Sequence, residues 1–437
     1  MRFFIDCIYL LAVIAISPIA LYRIIKHKRY RTGWQQRFGK ITRRNTAKKC
    51  IWLHAVSVGE VNASTTLIEE LKKNLPNFEI VISTTTDTGF ARATALFDRD
   101  LQIFYFPFDF SLIMSRAFRN IQPAICLLME LEVWPNFVRI AQQLNVPVVV
   151  VNGRLSEKSF SKYKIIKPIA KLIFQKVTLI LAQSDEYARR FREVGCASEK
   201  VIVTGSLKYD TAQVADKVEG SDALAKQLNI RTGEKLFVAG GTGIDEEKII
   251  LDVYRELKNQ FENLRLAIVP RKPERFDEVA QLIEQSGFNL IRYSQIKNHS
   301  TEKSNTERRV TSDESRVILG DTMGDLRKFY SLADIIFVGR SLVPMGGSDM
   351  MEAAALGKCT IFGPYTFNFK QTVDDLLKNN GAIEVQNSQE LLEVMQKCLS
   401  NPEYAAQIAR NGQQIIRKNQ GATSQSVKTI VEFLESH

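Results

Sequence analysis

What this sequence lacks first is paired cysteine. Six cysteines (Cys7, Cys50, Cys126, Cys196, Cys359, Cys398) are scattered through 437 residues, with no CxxC pair. Several sit in apolar, strand-like runs, where a buried thiol behaves as a small hydrophobe. The pattern excludes a disulfide framework and a zinc site and fits a reducing compartment. Net charge is equally absent from most of the chain. The formal charge is +11, but residues 1–49 hold twelve Lys/Arg against the single acid Asp6, so residues 50–437 are balanced. That excludes a basic groove across the body, and with it a nucleic-acid partner; one end of the protein leans on an anionic surface instead. No cleavable leader is expected either, because the positive charge follows the N-terminal apolar run rather than preceding it. A GxGxxG fingerprint is missing: AGGTG at residues 239–243 does not have that spacing.

What is present begins with residues 3–25, almost wholly apolar, with Asp6 and Pro18 as interruptions. The run is long enough for the roughly 20 residues that span a bilayer. Basic residues follow at once, which puts the body on the cytoplasmic side. Residues 1–25 are therefore expected to form an uncleaved membrane anchor at the cytoplasmic face of the inner membrane. A helix lying in the interface is the alternative. Residues 26–49 are expected to press on anionic headgroups.

From Cys50 onward short apolar strands alternate with amphipathic helical patterns, which argues parallel, doubly wound α/β sheets. The length calls for two domains. The expected division is 50–208, a polar linker at 209–233, and 234–437 with a helical tail. Residues 297–315 are polar and without period and read as a surface insertion. Two Rossmann-like domains facing across a cleft make the GT-B architecture of glycosyltransferases, with ligand loops at the carboxyl ends of strands.

The candidate chemistry lies at those strand ends. HAVSVGE (54–60) closes the first strand and puts Glu60 at a strand-to-helix turn, where a carboxylate can take a proton from an attacking hydroxyl. The helix start lowers its pKa, so burial must pull the other way; complementing the helix dipole is the plain alternative. MELEVWPN (129–136) carries Glu130 and Glu132 two apart, expected on the same side of an extended chain and suited to a hydroxylated acceptor. Asp98-Arg-Asp100 has the DxD pattern of some metal sites but follows a helix and reads as loop; no metal or cofactor is expected. In the second half, PRKPER (270–275) places Arg271 for a phosphate, and GDTMGDL (320–326) supplies another strand-end loop. Then Gly346-Gly347 precede a short helix with Glu352 in its first turn. That reads as a phosphate seat with an acid for sugar hydroxyls, or as an ordinary strand-to-helix turn.

Taken together, HAVSVGE, MELEVWPN, NGRLSEKSF, TGSLKYD, VPRKPERF, GDTMGDL, SLVPMGG and GPYTFNF resemble, in order, the 3-deoxy-manno-octulosonic acid (Kdo) transferases of lipopolysaccharide synthesis. The resemblance implies a GT-B fold and an inverting, metal-independent transfer from CMP-Kdo to a lipid A precursor (lipid IVA). It implies Glu60 as the base, an essential acid at Glu130 or Glu132, and donor contacts at Lys208, Thr242, Arg271, Gly320, Asp321, Met323, Gly346, Gly347 and Glu352. The chain departs from the family where Ser-Thr-His is replaced by Gly241-Thr242-Gly243 and Pro-Arg-His-Pro by Pro270-Arg271-Lys272-Pro273. Gly-Gly-His-Asn is replaced by Gly346-Gly347-Ser348-Asp349, and Gly by Arg340. Three histidines are gone from the donor half. Asp349 would repel a phosphate, while Lys272 and Arg340 would attract one. Two other readings stay open: a membrane-associated GT-B enzyme with another nucleotide sugar, and a non-catalytic relative with altered donor loops.

Overall fold

The structure, a computed structural model, describes residues 5–11, 14, 17, 32–43, 45, 47–299 and 316–436, the side chains of 298 and 299 excepted. It divides into two compact units: Met1–Thr211 with Asn419–His437, and Ala212–Lys418.

The first unit holds β1 (Lys49–His54), β2 (Phe78–Thr84), β3 (Gln102–Tyr105), β4 (Ile125–Met129), β5 (Val148–Gly153), β6 (Leu179–Ala182) and β7 (Val201–Val203). All pairings are parallel, in the order β3-β2-β1-β4-β5-β6-β7. Central strands of such a sheet are covered on both faces, so they read as unbroken apolar runs, and successive residues serve opposite cores. Cys50 and Trp52 of β1 enter one core and Ile51 and Leu53 the other. Trp52 is ringed by Phe104, Phe106, Phe118 and Phe137 at centroid distances of 5.1 to 6.1 Å. Its indole N–H, otherwise orphaned there, donates to Ser83 Oγ at 2.8 Å.

The second unit repeats the scheme. It holds β8 (Lys235–Thr242), β9 (Leu264–Pro270), β10 (Asn289–Arg292), β11 (Arg316–Leu319), β12 (Ile335–Val338), β13 (Cys359–Phe362) and β14 (Ile383–Glu384). The order is β10-β11-β9-β8-β12-β13-β14, again parallel. The strand order reverses direction between β1 and β4 in one unit and between β8 and β12 in the other. Helices leave opposite faces of the sheet at such a point and open a crevice at the carboxyl ends. HAVSVGE and MELEVWPN flank the first reversal; AGGTG and the Gly346-Gly347 loop flank the second.

Three expectations change. The tail was assigned whole to the second domain, but its last helix, Ala422–Glu435, packs on the first. Ala422, Val427 and Ile430 are buried with Leu67 and Leu71. Asp210 accepts the N–H groups of Gly421 (2.7 Å) and Thr423 (2.5 Å), so the helix start is satisfied by a carboxylate distant in sequence. The basic segment is also partly structural. Arg37 is buried over the Tyr105 ring (4.2 Å), and Arg43 is buried against Glu79 (2.6 Å), so neither is free for headgroups. Finally, Asp6 is a docking group. It accepts the Ser111 N–H (3.0 Å) and hydroxyl and the Asn136 side-chain amide (2.9 Å). Tyr9 donates beside it to Asp109 (2.9 Å). Most of the expected anchor (1–25), residues 26–31, 44 and 46 of the basic segment, and residues 300–315 of the insertion lie outside the described residues. Among the described residues no helix is long and apolar enough to cross a membrane.

Ile430→Ala is expected to destabilise the first unit by about 2–5 kcal/mol, the usual cost of an Ile-sized core cavity. Hydrogen exchange should quicken in β1 to β7 and stay unchanged in β8 to β14.

Candidate active site

In the first unit, Ser57 caps the helix Val58–Ala63 and Glu60 is its third residue. The pair bond reciprocally. Ser57 Oγ accepts the Glu60 N–H (3.4 Å) and donates to Glu60 Oε1 (3.0 Å), while the Val56 N–H donates to Oε2 (2.9 Å). This is a variant of the capping box in which the Val56 N–H and the Ser57 hydroxyl stand where the Ser57 N–H would donate, so the dipole-complementing role is real. It does not exhaust the carboxylate, because each oxygen retains a lone pair. Burial dominates the electrostatics: it lifts the Glu60 pKa to about 7, with the charges of Glu130 and Glu132 adding to the rise and the hydrogen bonds opposing it. A buried carboxylate that titrates near neutrality suits a general base.

Glu130 and Glu132 are brought to Glu60, but not by an extended strand. β4 ends at Met129 and the chain turns at Glu130, which holds a left-handed φ of 55°. Its N–H donates to the Val151 carbonyl (3.0 Å), which fixes the turn. Glu132 accepts from the Trp134 indole (3.0 Å), and burial raises its pKa. Lys208, expected at the donor, stands 3.8 Å from Glu130 in the first unit. Three carboxylates and one ammonium therefore meet at the β1/β4 reversal. Asp100 of the DxD pattern pairs with Lys72 (3.2 Å). Among the described residues no group of three or more His, Cys, Asp or Glu is placed to hold a metal ion.

The second unit is organised by a residue the sequence reading passed over. Glu246 is fully buried, and its carboxylate accepts the N–H groups of Gly243 (3.0 Å), Ser341 (2.7 Å), Leu342 (2.9 Å) and Arg340. Burial raises its pKa and the four donors oppose the rise. In sequence it was one more acid in a helix's first turn, with nothing to mark its partners about 95 residues away.

The Gly-Gly loop serves the chain's own packing. Gly346 and Gly347 have φ of 89° and 81°, and a Cβ on Gly346 would lie 2.2 Å from the Asn368 amide. The N–H groups of Gly347 and Ser348 donate to the carbonyls of Arg340 (2.8 Å) and Gly339 (2.9 Å). Asp349 caps the helix Met350–Ala355, accepting from the Met351 N–H (2.9 Å). An internal carboxylate thus stands at the helix start where a phosphate was expected. Glu352 lies 3.9 Å from Arg327. Burial lifts its pKa to about 7, Asp349 adds to the rise, and Arg327 and Arg271 oppose it. Arg271 is exposed and acts on Glu352 through its charge alone, whereas Arg275 of the same motif is locked on Glu247 at 2.6 and 3.1 Å. The buried hydroxyls of Thr242 and Tyr330 have no hydrogen-bond partner among the described residues.

The remaining donor candidates divide. Asp321 is consumed locally by Arg292 (2.7 Å) and by the Ser294 N–H and hydroxyl (2.8 and 2.7 Å). A Cβ on Gly320 would lie 2.8 Å from Val269 and 3.0 Å from Phe329, and Met323 is exposed. Neither of the added cations replaces Arg271. Arg340 donates to the Met345 carbonyl (3.1 Å), and Lys272 leans on Glu274 (4.0 Å).

Comparison with known proteins follows the same division. Residues 32–211 match the family described as 3-Deoxy-D-manno-octulosonic-acid transferase (kdotransferase), and residues 221–415 match Glycosyl transferases group 1. The chain is 32% identical over 416 residues to the 3-deoxy-D-manno-octulosonic acid transferase of Haemophilus influenzae, covering 94% of this chain and 93% of the relative. It is 28% identical over 443 residues to that of Bordetella pertussis, covering 98% and 99%. A UDP-GlcNAc 2-epimerase from Neisseria meningitidis, solved with UDP-GlcNAc, is 16% identical with a TM-score of 0.53 over 88% of this chain and 100% of that one, a likeness of fold.

The structure pairs the departures from family residues. A Cβ on Gly241 would lie 2.6 Å from Ser348 Oγ, and one on Gly243 would lie 3.1 Å from Arg340 Cγ and 2.5 Å from Met345 Sδ. Gly243→His alone should therefore destabilise the second unit, and Arg340→Gly in the same chain should recover part of the loss. A double-mutant cycle in urea should give a coupling of about 0.5–3 kcal/mol, against near zero for independent sites.

Proposed function

Because the chain belongs to the 3-deoxy-D-manno-octulosonic-acid transferase family, we propose that it moves Kdo from CMP-Kdo to a lipid A precursor such as lipid IVA, with inversion and without a metal. The observation that carries the mechanism is the Glu60 carboxylate, buried at the β1/β4 reversal with a pKa near 7 and two more carboxylates beside it. Glu60 takes the proton of the acceptor hydroxyl as its oxygen attacks the anomeric carbon of Kdo. The bond from that carbon to the CMP phosphate breaks, and CMP leaves with the electron pair. Arg271 meets the charge that grows on the phosphate. Glu352 takes nucleotide hydroxyls, and the Thr242 hydroxyl, which has no hydrogen-bond partner among the described residues, gains one from the donor. Lys208 and the Glu130/Glu132 pair orient the acceptor. The enzyme works at the cytoplasmic face of the inner membrane, held by residues 1–25 and the free part of the basic segment.

Three outcomes test this reading. Glu60→Gln should cut transfer by about 10²- to 10⁴-fold, the usual worth of a positioned base. A base is active only when deprotonated, so kcat/KM for the parent should climb with pH through about 7 and level above it. Glu132→Gln removes a neighbouring negative charge and should move that limb to lower pH. A flat profile, or full activity in Glu60→Gln, would remove Glu60 from the role.

By calorimetry, CMP should bind more tightly than UDP, and Arg271→Ala should weaken CMP about tenfold, the worth of one charge-assisted hydrogen bond. A preference for UDP would favour the reading with another nucleotide sugar. CMP binding without turnover would favour the non-catalytic one.

A further inference from the structure

The second unit keeps two thiols in contact. Cys359 opens β13 and Cys398 lies in the last turn of the helix Ser388–Ser400. Their Sγ atoms stand 3.8 Å apart, so one thiol hydrogen-bonds the other. Both are buried in the second unit's core. The other buried thiols, Cys50, Cys126 and Cys196, belong to the first unit. In sequence the pair leaves no mark, because 39 positions separate its members. The fold alone brings a strand and a helix together there, and sulfurs in contact are where thiol–disulfide chemistry starts.

The pair also lines a cavity. A space of about 330 Å³ is bounded by Lys235, Ile335, Lys358 and Ala406 together with both cysteines. Lys235, Ile335 and Cys359 are the first residues of β8, β12 and β13. The cavity therefore lies at the amino ends of these strands, away from the loops at their carboxyl ends. One water-sized molecule takes up about 30 Å³, so a small reagent fits there and a protein partner does not. The surroundings are basic. Lys358 is half-buried, with its pKa lowered by burial and Asp334 opposing the fall, and Lys235 pairs with Asp334 at 3.0 Å. The hydrogen bond from Cys359 lowers the pKa of Cys398; burial opposes that and Lys397 adds to it. Thiols in electropositive surroundings that a reagent can reach are reactive, whereas those sealed in a core are inert.

We propose that Cys359 and Cys398 are a redox modification site: hydrogen peroxide reaching them through this cavity links them, and the link clamps the helix Ser388–Ser400 to the sheet. The Cys398 sulfur attacks one peroxide oxygen. The O–O bond breaks, the sulfur becomes a sulfenic acid, and the other oxygen leaves as water with the proton of the Cys398 thiol. The Cys359 sulfur then attacks the sulfenic sulfur. The S–O bond breaks, and the hydroxyl leaves as water with the proton of Cys359. In sum two thiols give up two hydrogens and two electrons, and one peroxide becomes two waters. A dithiol reductant reverses the link, as a reducing compartment requires. The site belongs to the second unit and depends on no reading of the donor or the acceptor.

The test uses the full chain with Cys7→Ser, fully reduced, and hydrogen peroxide as the oxidant. After exposure the protein is denatured, free thiols are alkylated, and the digest is read by mass spectrometry. The peptides holding Cys359 and Cys398 should emerge joined, lighter than their sum by two hydrogens, and dithiothreitol should separate them. Cys50, Cys126 and Cys196 should be alkylated as before. Free thiols at 359 and 398, sulfinic acid at either without a link, or a link found only between chains would overturn the proposal. The clamp is read separately. Hydrogen exchange within residues 359–398 should slow about tenfold or more in the linked protein, because a cross-link restricts the unfolded chain, and should recover on reduction. Unchanged or faster exchange would overturn the clamp. Cys398→Ser should show neither link nor slowing, and either one in that variant would count against the pair. Ala406→Leu narrows the cavity and should slow linking about tenfold, since oxidation follows access to the sulfur. An unaltered rate in that variant would mean that peroxide enters by opening of the fold, and the cavity would lose its part.

Discussion

Buried carboxylates facing backbone N–H groups are what both candidate sites depend on. Glu246 is the stronger case: four N–H groups from two segments converge on one carboxylate with no exposure to solvent. Those N–H groups sit where two adjacent strands send their helices to opposite faces and so lack neighbours of their own. An unpaired buried N–H costs about 1–3 kcal/mol, so the carboxylate offsets a penalty that the topology creates. Glu60 occupies the corresponding place in the first unit with the balance changed. It has one backbone N–H and one hydroxyl as donors, and two carboxylates beside it. With fewer donors and more negative charge the same kind of group titrates near neutrality. One fold feature serves as a structural clasp in one unit and as the candidate base in the other.

Burial decides the competition between effects at both acids expected to act. A helix start favours the ionised carboxylate by about 0.3–1 kcal/mol at an exposed site, whereas desolvation moves a buried carboxyl by whole pKa units. At Glu60 and Glu352 desolvation is the leading cause and each group settles near 7. At Glu352 the Asp349 cap adds its own charge, so the helix that was to seat a phosphate is already capped. Arg271, exposed beside this helix, acts on Glu352 only through its charge.

The altered donor loops are not independent losses. Ser348 donates to the Gly241 carbonyl at 2.8 Å and fills the space a side chain at 241 would need. Arg340 holds a left-handed φ of 61° and reaches over Gly243 to the Met345 carbonyl. Each larger residue stands against a glycine, which is what repacking at constant volume requires. Taken singly in sequence, the same positions leave open both a donor held differently and a non-catalytic relative with altered donor loops.

Most of the fold was legible from the chain alone, because both of its signals are local. Apolar runs separated by helical patterns mark strands buried on both faces, and this holds for β1, β4, β8 and β12 alike. The strand-end motifs were legible for the same reason: Glu60, Arg271 and the glycine loop lie within a few residues of strands that pattern reveals. Tertiary structure decided what depends on contacts between distant residues. It placed Lys208 with Glu130, the last helix on the first unit through Asp210, and Asp6 at the start of the helix Ser111–Ile121. It committed Asp321 to Arg292 and Ser294, and it made Glu246 central. The sequence by itself determined which side chains stand at the carboxyl ends of the strands. Only the fold decided whether each was spent on its neighbours or left for a ligand, because a hydrogen bond across about 100 residues leaves no periodic trace in the chain.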